Sequence, residues 1–185
     1  MNIAIIGGIG SGKSEVLKVA REMGIAALSA DEINAELLKS PDYIAKISER
    51  FPDCVVCGVV DKKRLASQVF SDKEKLKALN GIAHPEIAKK VAQCTANPLV
   101  VELPLVLESG MAGMFDEIIL VTAPKRERYK RLCKRGVALA RARAIIRVQA
   151  PEYKLRKIAT RIIENTDSLE RLRESAKNVL RIFCE

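Results

Sequence analysis

Gly7-Gly-Ile-Gly-Ser-Gly-Lys-Ser14 matches the pattern G-x-x-x-x-G-K-[ST] at every position, and its surroundings match as well. Before it runs the apolar segment Ile3-Ala-Ile-Ile6. After it, Val16, Ala20 and Met23 recur at helical spacing, with Leu17 and Val19 widening the stripe. A strand, a glycine-rich turn and a helix in that order make a phosphate-binding loop. The glycines let the backbone turn so tightly that successive N–H groups converge on phosphate oxygens. The helix that starts near Gly12 adds the partial positive charge of its N-terminus. Lys13 is placed to reach the β- and γ-phosphates of a nucleoside triphosphate, and the Ser14 hydroxyl to bind Mg²⁺. The nucleotide-holding set is Gly8, Ile9, Gly10, Ser11, Gly12, Lys13, Ser14 and Glu15.

Working outward, the apolar spacing predicts strands over 1–6, 25–28, 99–103, 117–122 and, very short, 161–163. Helices are predicted over 12–23, from Ser29 or Asp31 to 38, and over 41–51, 61–70 and 72–79. Pro85 opens a further helix over 85–94, and others fall at 124–134, 138–149, 151–159 and 168–183. Strands alternating with helices indicate an α/β fold, a three-layer sandwich around a mainly parallel five-stranded sheet of the P-loop NTPase kind. The 185 residues suit one domain over 1–185, with room for a small insertion but not for a second full core.

Apolar residues at 48% and charged residues at 30% are ordinary for a soluble globular chain. No run approaches the ~20 apolar residues of a membrane span. The apolar run at 3–6 is too short for a secretory signal, so the expectation is a cytoplasmic protein without a membrane partner. Cys54, Cys57, Cys94, Cys133 and Cys184 are an odd, scattered set that implies no disulfide framework. Cys54-Val-Val-Cys57 has the spacing of half a zinc site, but there is no second pair and His84 is the only histidine. Flanked by Val59 and Val60, the two read as ordinary buried cysteines in a short strand or packed loop.

The formal charge of +9 is local. Ten basic residues from Lys125 to Arg147 stand against one acid, Glu127, so this stretch holds the entire excess. The N-K-x-D signature of GTPases and the L-S-G-G-Q of transport ATPases are both absent, and a small ATP-dependent kinase fits best. Residues of about 125–150 would then form an arginine-rich lid that neutralises the transferring phosphoryl group and excludes water. The alternatives are a solvated helix face or a nucleic-acid surface. Tyr129 is the one aromatic in the stretch, so base stacking has little support and no nucleic acid is expected. Asp31 follows the second strand closely, which puts it at the carboxyl edge of a parallel sheet. It reads either as a helix cap or as a carboxylate that takes the acceptor's proton and helps hold Mg²⁺.

Together these segments resemble dephospho-coenzyme A kinases. The resemblance lies in the loop, Ala30-Asp31-Glu32-Ile33, Val69-Phe70, His84-Pro85-Glu86-Ile87, Pro104-Leu-Val-Leu-Glu108, Arg131 with Arg135, Gln149, and Ile163-Glu-Asn165, in the family's order across nearly the whole chain. It implies transfer of the ATP γ-phosphoryl group to the ribose 3′-hydroxyl of dephospho-coenzyme A, with Mg²⁺. Asp31, Lys13 and Arg135 would be catalytic, Arg131 would join the nucleotide site, and Ser14 with Asp31 would hold the metal. Asp31, His84, Pro104 and Glu108 would line the acceptor pocket, with a helical acceptor-binding portion over about 61–95. On the bare sequence His84 is equally a core residue and Glu108 equally a surface acid. Another kinase of a nucleotide or small metabolite, a nucleic-acid-binding NTPase and an ATP-binding regulator are the other readings. The chain departs from the family at Ser29, where Asp is common, at Lys62 for Arg, at Arg128 for a lid glutamine, and at Thr160 for Asp. All four lie outside the phosphate loop.

Overall fold

The first strand, β1 (Asn2–Ile6), buries Ile3, Ala4, Ile5 and Ile6 completely. Unbroken burial, rather than alternation, is the mark of a parallel strand covered on both faces. The computed structural model describes residues 1–70 and 72–184, and of Phe70 and Val148 only the backbone, so the Phe70 side chain of the Val69-Phe70 pair lies outside what is described.

The chain continues through α1 (Lys13–Glu22), β2 (Ala26–Ser29), α2 (Ala30–Leu37) and α3 (Pro41–Arg50) to a hairpin of β3 (Val55–Val56) and β4 (Val59–Val60). Next come α4 (Lys62–Phe70), α5 (Lys73–Ala92), β5 (Leu99–Glu102), the short α6 (Val106–Ser109) and β6 (Glu117–Thr122). The chain closes with α7 (Lys125–Lys134), α8 (Leu139–Val148), α9 (Glu152–Ile158), β7 (Arg161–Glu164) and α10 (Leu169–Arg181). Five strands form one parallel sheet in the order β2-β5-β1-β6-β7, and each was expected from its apolar run. Because β5 and β6 flank β1, the loop after β1 leaves the sheet at the point where strand order reverses, where α/β sheets bind ligands.

The chain divides into two compact units. The first, residues 1–29 with 95–185, holds the sheet. One face is closed by α1 and α10: Val16, Val19 and Ala20 meet Leu172, Ala176 and Leu180 over Ile3, Ile5, Ile119 and Val121. From the other face, Leu155 of α9 lies beside Leu120. Fully burying each such aliphatic side chain contributes about 1.5–3 kcal/mol.

The second unit, residues 30–94, is helical with the β3–β4 hairpin. Its core includes Tyr43, Ile47, Phe51, Cys54, Leu65, Val69, Ile87 and Val91. Asp61 accepts hydrogen bonds from the N–H groups of Lys63 and Arg64 at the start of α4, and Asp72 from those of Glu74 and Lys75 at the start of α5. Such caps satisfy N–H groups that a first helical turn leaves open.

Two expectations need correction here. Helices 72–79 and 85–94 are one helix, α5, with Pro85 inside it. Pro85 lacks the N–H that would bond to the Gly81 carbonyl, a defect of about 3 kcal/mol in isolation. The Asp72 cap at one end and the burial of Ile87 and Val91 toward the other keep the helix continuous. Cys57 is not buried. It is exposed at the hairpin tip with φ 49°, followed by Gly58 at φ 75°, the paired positive values of a two-residue hairpin turn. Cys54 is buried as expected.

Candidate active site

The phosphate loop is set by the strand before it and the helix after it. Gly7 and Gly12 have φ 144° and 112°, values that L side chains avoid. A Cβ at Gly7 would lie 2.2 Å from the Val121 carbonyl oxygen, and one at Gly12 would lie 2.5 Å from Asn165 Nδ2. The loop therefore rests closely against the C-terminal ends of β6 and β7. Ser11 N–H donates to the Gly8 carbonyl at 3.1 Å, and Glu15 N–H donates to that of Gly12 at 3.0 Å as α1 begins.

Lys13 is buried, and its Nζ donates to the Gly8 carbonyl at 3.4 Å, so the ammonium curls over the loop rather than leaving it. Ser14 is exposed beside it, and its Oγ donates to Glu102 Oε1 at 3.2 Å. Glu102 ends β5 in register with Ser29, the last residue of β2, and both are buried. A hydroxyl and a carboxylate at the mouth of a phosphate loop are hard oxygen donors suited to Mg²⁺. Neither Glu102 nor its contact with Ser14 was expected. The available signal was one acid ending the apolar run Leu99-Val-Val-Glu102. The Glu15 carboxylate, by contrast, is held by Arg173 of α10, so it is only through its backbone that Glu15 faces the loop.

Three side chains, two from α7 and one from the residue that follows β7, grip the outer side of the loop. Arg131 donates from Nη1 to the carbonyls of Gly10 and Ser11 at 3.1 and 3.3 Å, and from Nη2 to Asn165 Oδ1 at 2.9 Å. Asn165 is buried and donates from Nδ2 to the Ser11 carbonyl at 2.6 Å. Arg128 is buried against Ile9 and Gln149, and burial lowers the pKa of its guanidinium from the ordinary arginine value. The carbonyls of Ile9, Gly10 and Ser11 are thus taken up by these side chains, which keeps their negative ends away from a bound phosphate. Arg135 follows the end of α7 and is exposed, while Arg143 and Arg147 line an open groove of about 610 Å³ with Gln149 and Tyr153.

The remaining expected residues fall on separate elements. Asp31 is exposed in the first turn of α2, two positions after the end of β2. His84 is half-buried within α5, in the helical unit. Pro104 follows β5, and Glu108 is exposed in α6. Thr160 lies at the opposite end of the sheet from the loop. Its Oγ1 accepts from Ile118 N–H at 3.0 Å and donates to Glu117, at the start of β6. The departure at that position therefore concerns strand pairing rather than the site. Lys62 opens α4 and is exposed. Among the described residues no cluster of His, Cys, Asp and Glu could hold a metal by protein ligands alone, and no helix is long and apolar enough to cross a membrane.

Comparisons with known proteins agree with this geometry. A family model described as dephospho-CoA kinase matches residues 1–171. A dephospho-CoA kinase of Thermus thermophilus is 38% identical over 183 residues, covering 96% of this chain and 89% of the relative. One of Carboxydothermus hydrogenoformans is 36% identical over 190 residues, covering 96% and 92%. A solved Thermus thermophilus structure superposes with a TM-score of 0.83 at 37% identity, covering 98% of this chain and 97% of its own. A dephospho-CoA kinase from Campylobacter jejuni gives 0.71 at 26%, covering 99% and 97%. A shikimate kinase from Acinetobacter baumannii, at 15% identity and a TM-score of 0.60, shares the fold.

Proposed function

The chain belongs to the dephospho-CoA kinase family, and on that premise we propose that it phosphorylates the ribose 3′-hydroxyl of dephospho-CoA with ATP, giving CoA and ADP. The observation that carries this reading is the phosphate loop itself, with Lys13 folded over it and the Ser14–Glu102 pair at its mouth.

Lys13 neutralises the phosphate oxygens on which charge accumulates as the phosphoryl group leaves ADP. The N–H groups at the head of α1 hold the β-phosphate in line with it. Ser14 and Glu102 would hold Mg²⁺, which would supply Lewis-acid withdrawal of charge from the phosphoryl group. Asp31 accepts the proton of the acceptor hydroxyl as its oxygen bonds to phosphorus and the bond to the ADP oxygen breaks. Arg135, Arg143 and Arg147 supply positive charge from the lid, while Arg131 keeps the loop in its binding conformation. His84, Pro104 and Glu108 are assigned to the acceptor side.

An acceptor panel tests this. With ATP and Mg²⁺, release of ADP is expected to rise sharply on adding dephospho-CoA and to stay at background with a nucleoside monophosphate, shikimate or gluconate. Turnover on one of the latter, with none on dephospho-CoA, refutes the reading.

A further inference from the structure

We propose that Arg128 and Gln149 are positioning residues that lock Ile9, a residue of the phosphate loop, by both of its backbone groups. Arg128 Nε–H donates to the Ile9 carbonyl at 2.8 Å, and Ile9 N–H donates to Gln149 Oε1 at 2.9 Å. Arg128 Nη2–H closes the ring on the same Gln149 oxygen at 3.0 Å. Arg128 enters from α7 and Gln149 from the residue that ends α8, so both ends of the basic stretch are fastened to one loop residue.

The loop has room for this side chain because of a glycine that its own backbone does not require. Gly8 is not among the glycines with positive φ, and its position in the motif is unrestricted. Yet a Cβ there would stand 2.2 Å from Arg128 Nη2 and 2.5 Å from Cζ. A side chain at Gly8 would displace the guanidinium that lies on it. Arg128 itself is only 8% exposed. A buried arginine needs its donors satisfied, and here two nitrogens of a rigid fork meet two acceptors. This latch also assigns Ile9 to the scaffold side of the loop, since its N–H is held by Gln149 rather than offered to a phosphate.

The proposal rests on the nucleotide reading of the loop but not on the identity of the acceptor, so it is tested by calorimetric titration with Mg²⁺ and ADP alone. Arg128→Ala and Gln149→Ala are each expected to weaken ADP binding about tenfold, the worth of a hydrogen bond to a charged or buried partner. Because either change opens the same ring, the double variant is expected to lose no more than the worse single one. Gly8→Ala is expected to weaken binding in the native background and to recover part of that loss when combined with Arg128→Ala, a rescue that general destabilisation does not produce. If Arg128→Ala does not fold, Gln149→Ala still reads the latch, since it leaves the guanidinium on Gly8. Single variants within about twofold of the native protein, or losses that multiply in the double variant, overturn the latch. A native protein that binds no ADP overturns the nucleotide reading and the latch with it.

Discussion

Replacing Glu102 by glutamine removes one charge and almost no volume, so it isolates the carboxylate to which Ser14 donates. The Ser14 Oγ–Glu102 Oε1 separation of 3.2 Å is long for a hydroxyl on a carboxylate. By itself that bond therefore contributes near the low end of the range for charged hydrogen bonds, about 1.5 kcal/mol. The larger effect is electrostatic. Glu102 is buried at the mouth of the loop, where a charge is poorly screened and would act strongly on a dication bound there. A combined loss of about 2–3 kcal/mol in transition-state stabilisation corresponds to a fall in kcat/KM of roughly 30- to 150-fold. ADP release measured across a Mg²⁺ titration is expected to show that fall together with a higher half-saturating Mg²⁺ concentration. Thermal stability is expected to hold, because a buried neutral amide is less costly than a buried carboxylate. If Glu102→Gln leaves both the Mg²⁺ dependence and kcat/KM within about twofold of native, Glu102 does not serve the metal and the assignment is wrong.

Asp31→Asn keeps the shape of α2 but cannot take a proton. Its kcat is expected to fall about 10²- to 10⁴-fold with the KM for ATP little changed, as steady-state kinetics would show. Lys13→Ala is expected to lose about 10²- to 10³-fold in kcat, measured by ADP release at saturating substrates. Tyr43 is buried, and burial together with the nearby Glu86 carboxylate pushes its pKa up to about 12 from 10.0. The folded state therefore keeps this proton where the unfolded chain has lost it, so stability falls as pH rises from about 10 toward 12. Melting temperatures across that window are expected to fall less steeply for Tyr43→Phe than for the native protein, and equal slopes would exclude Tyr43 as the cause. Leu180→Ala opens a cavity between α10 and the sheet and is expected to cost about 2–5 kcal/mol by urea unfolding.

The sheet was legible because each of its strands is an apolar run bounded by a turn or a helix cap, as in Leu99-Val-Val-Glu102 before Pro104. The long helix α5 was not. Pro85 is a boundary signal locally, and only the burial of Ile87 and Val91 in the folded unit overrides it. Cys57 was misread because its valine neighbours suggest a packed strand, whereas the turn geometry turns it outward. In the site, the loop could be named residue by residue from its motif. Glu102 could not, because a single acid closing a strand is indistinguishable from a surface terminator until β2 and β5 pair beside it. Arg128 stood out in sequence as a departure at a lid position, but its burial did not, since it is one of ten basic residues in that stretch. Folding buries Arg128 against Gly8 while leaving neighbours such as Arg126 exposed.

The central claim is transfer of a phosphoryl group to one particular hydroxyl, and the product tests it most directly. Incubation with ATP, Mg²⁺ and dephospho-CoA, followed by ³¹P NMR of the purified product, is expected to show a new phosphomonoester on the ribose 3′-oxygen and one ADP for each CoA formed. Recovery of unchanged dephospho-CoA, or a phosphate on any other oxygen, would contradict the account.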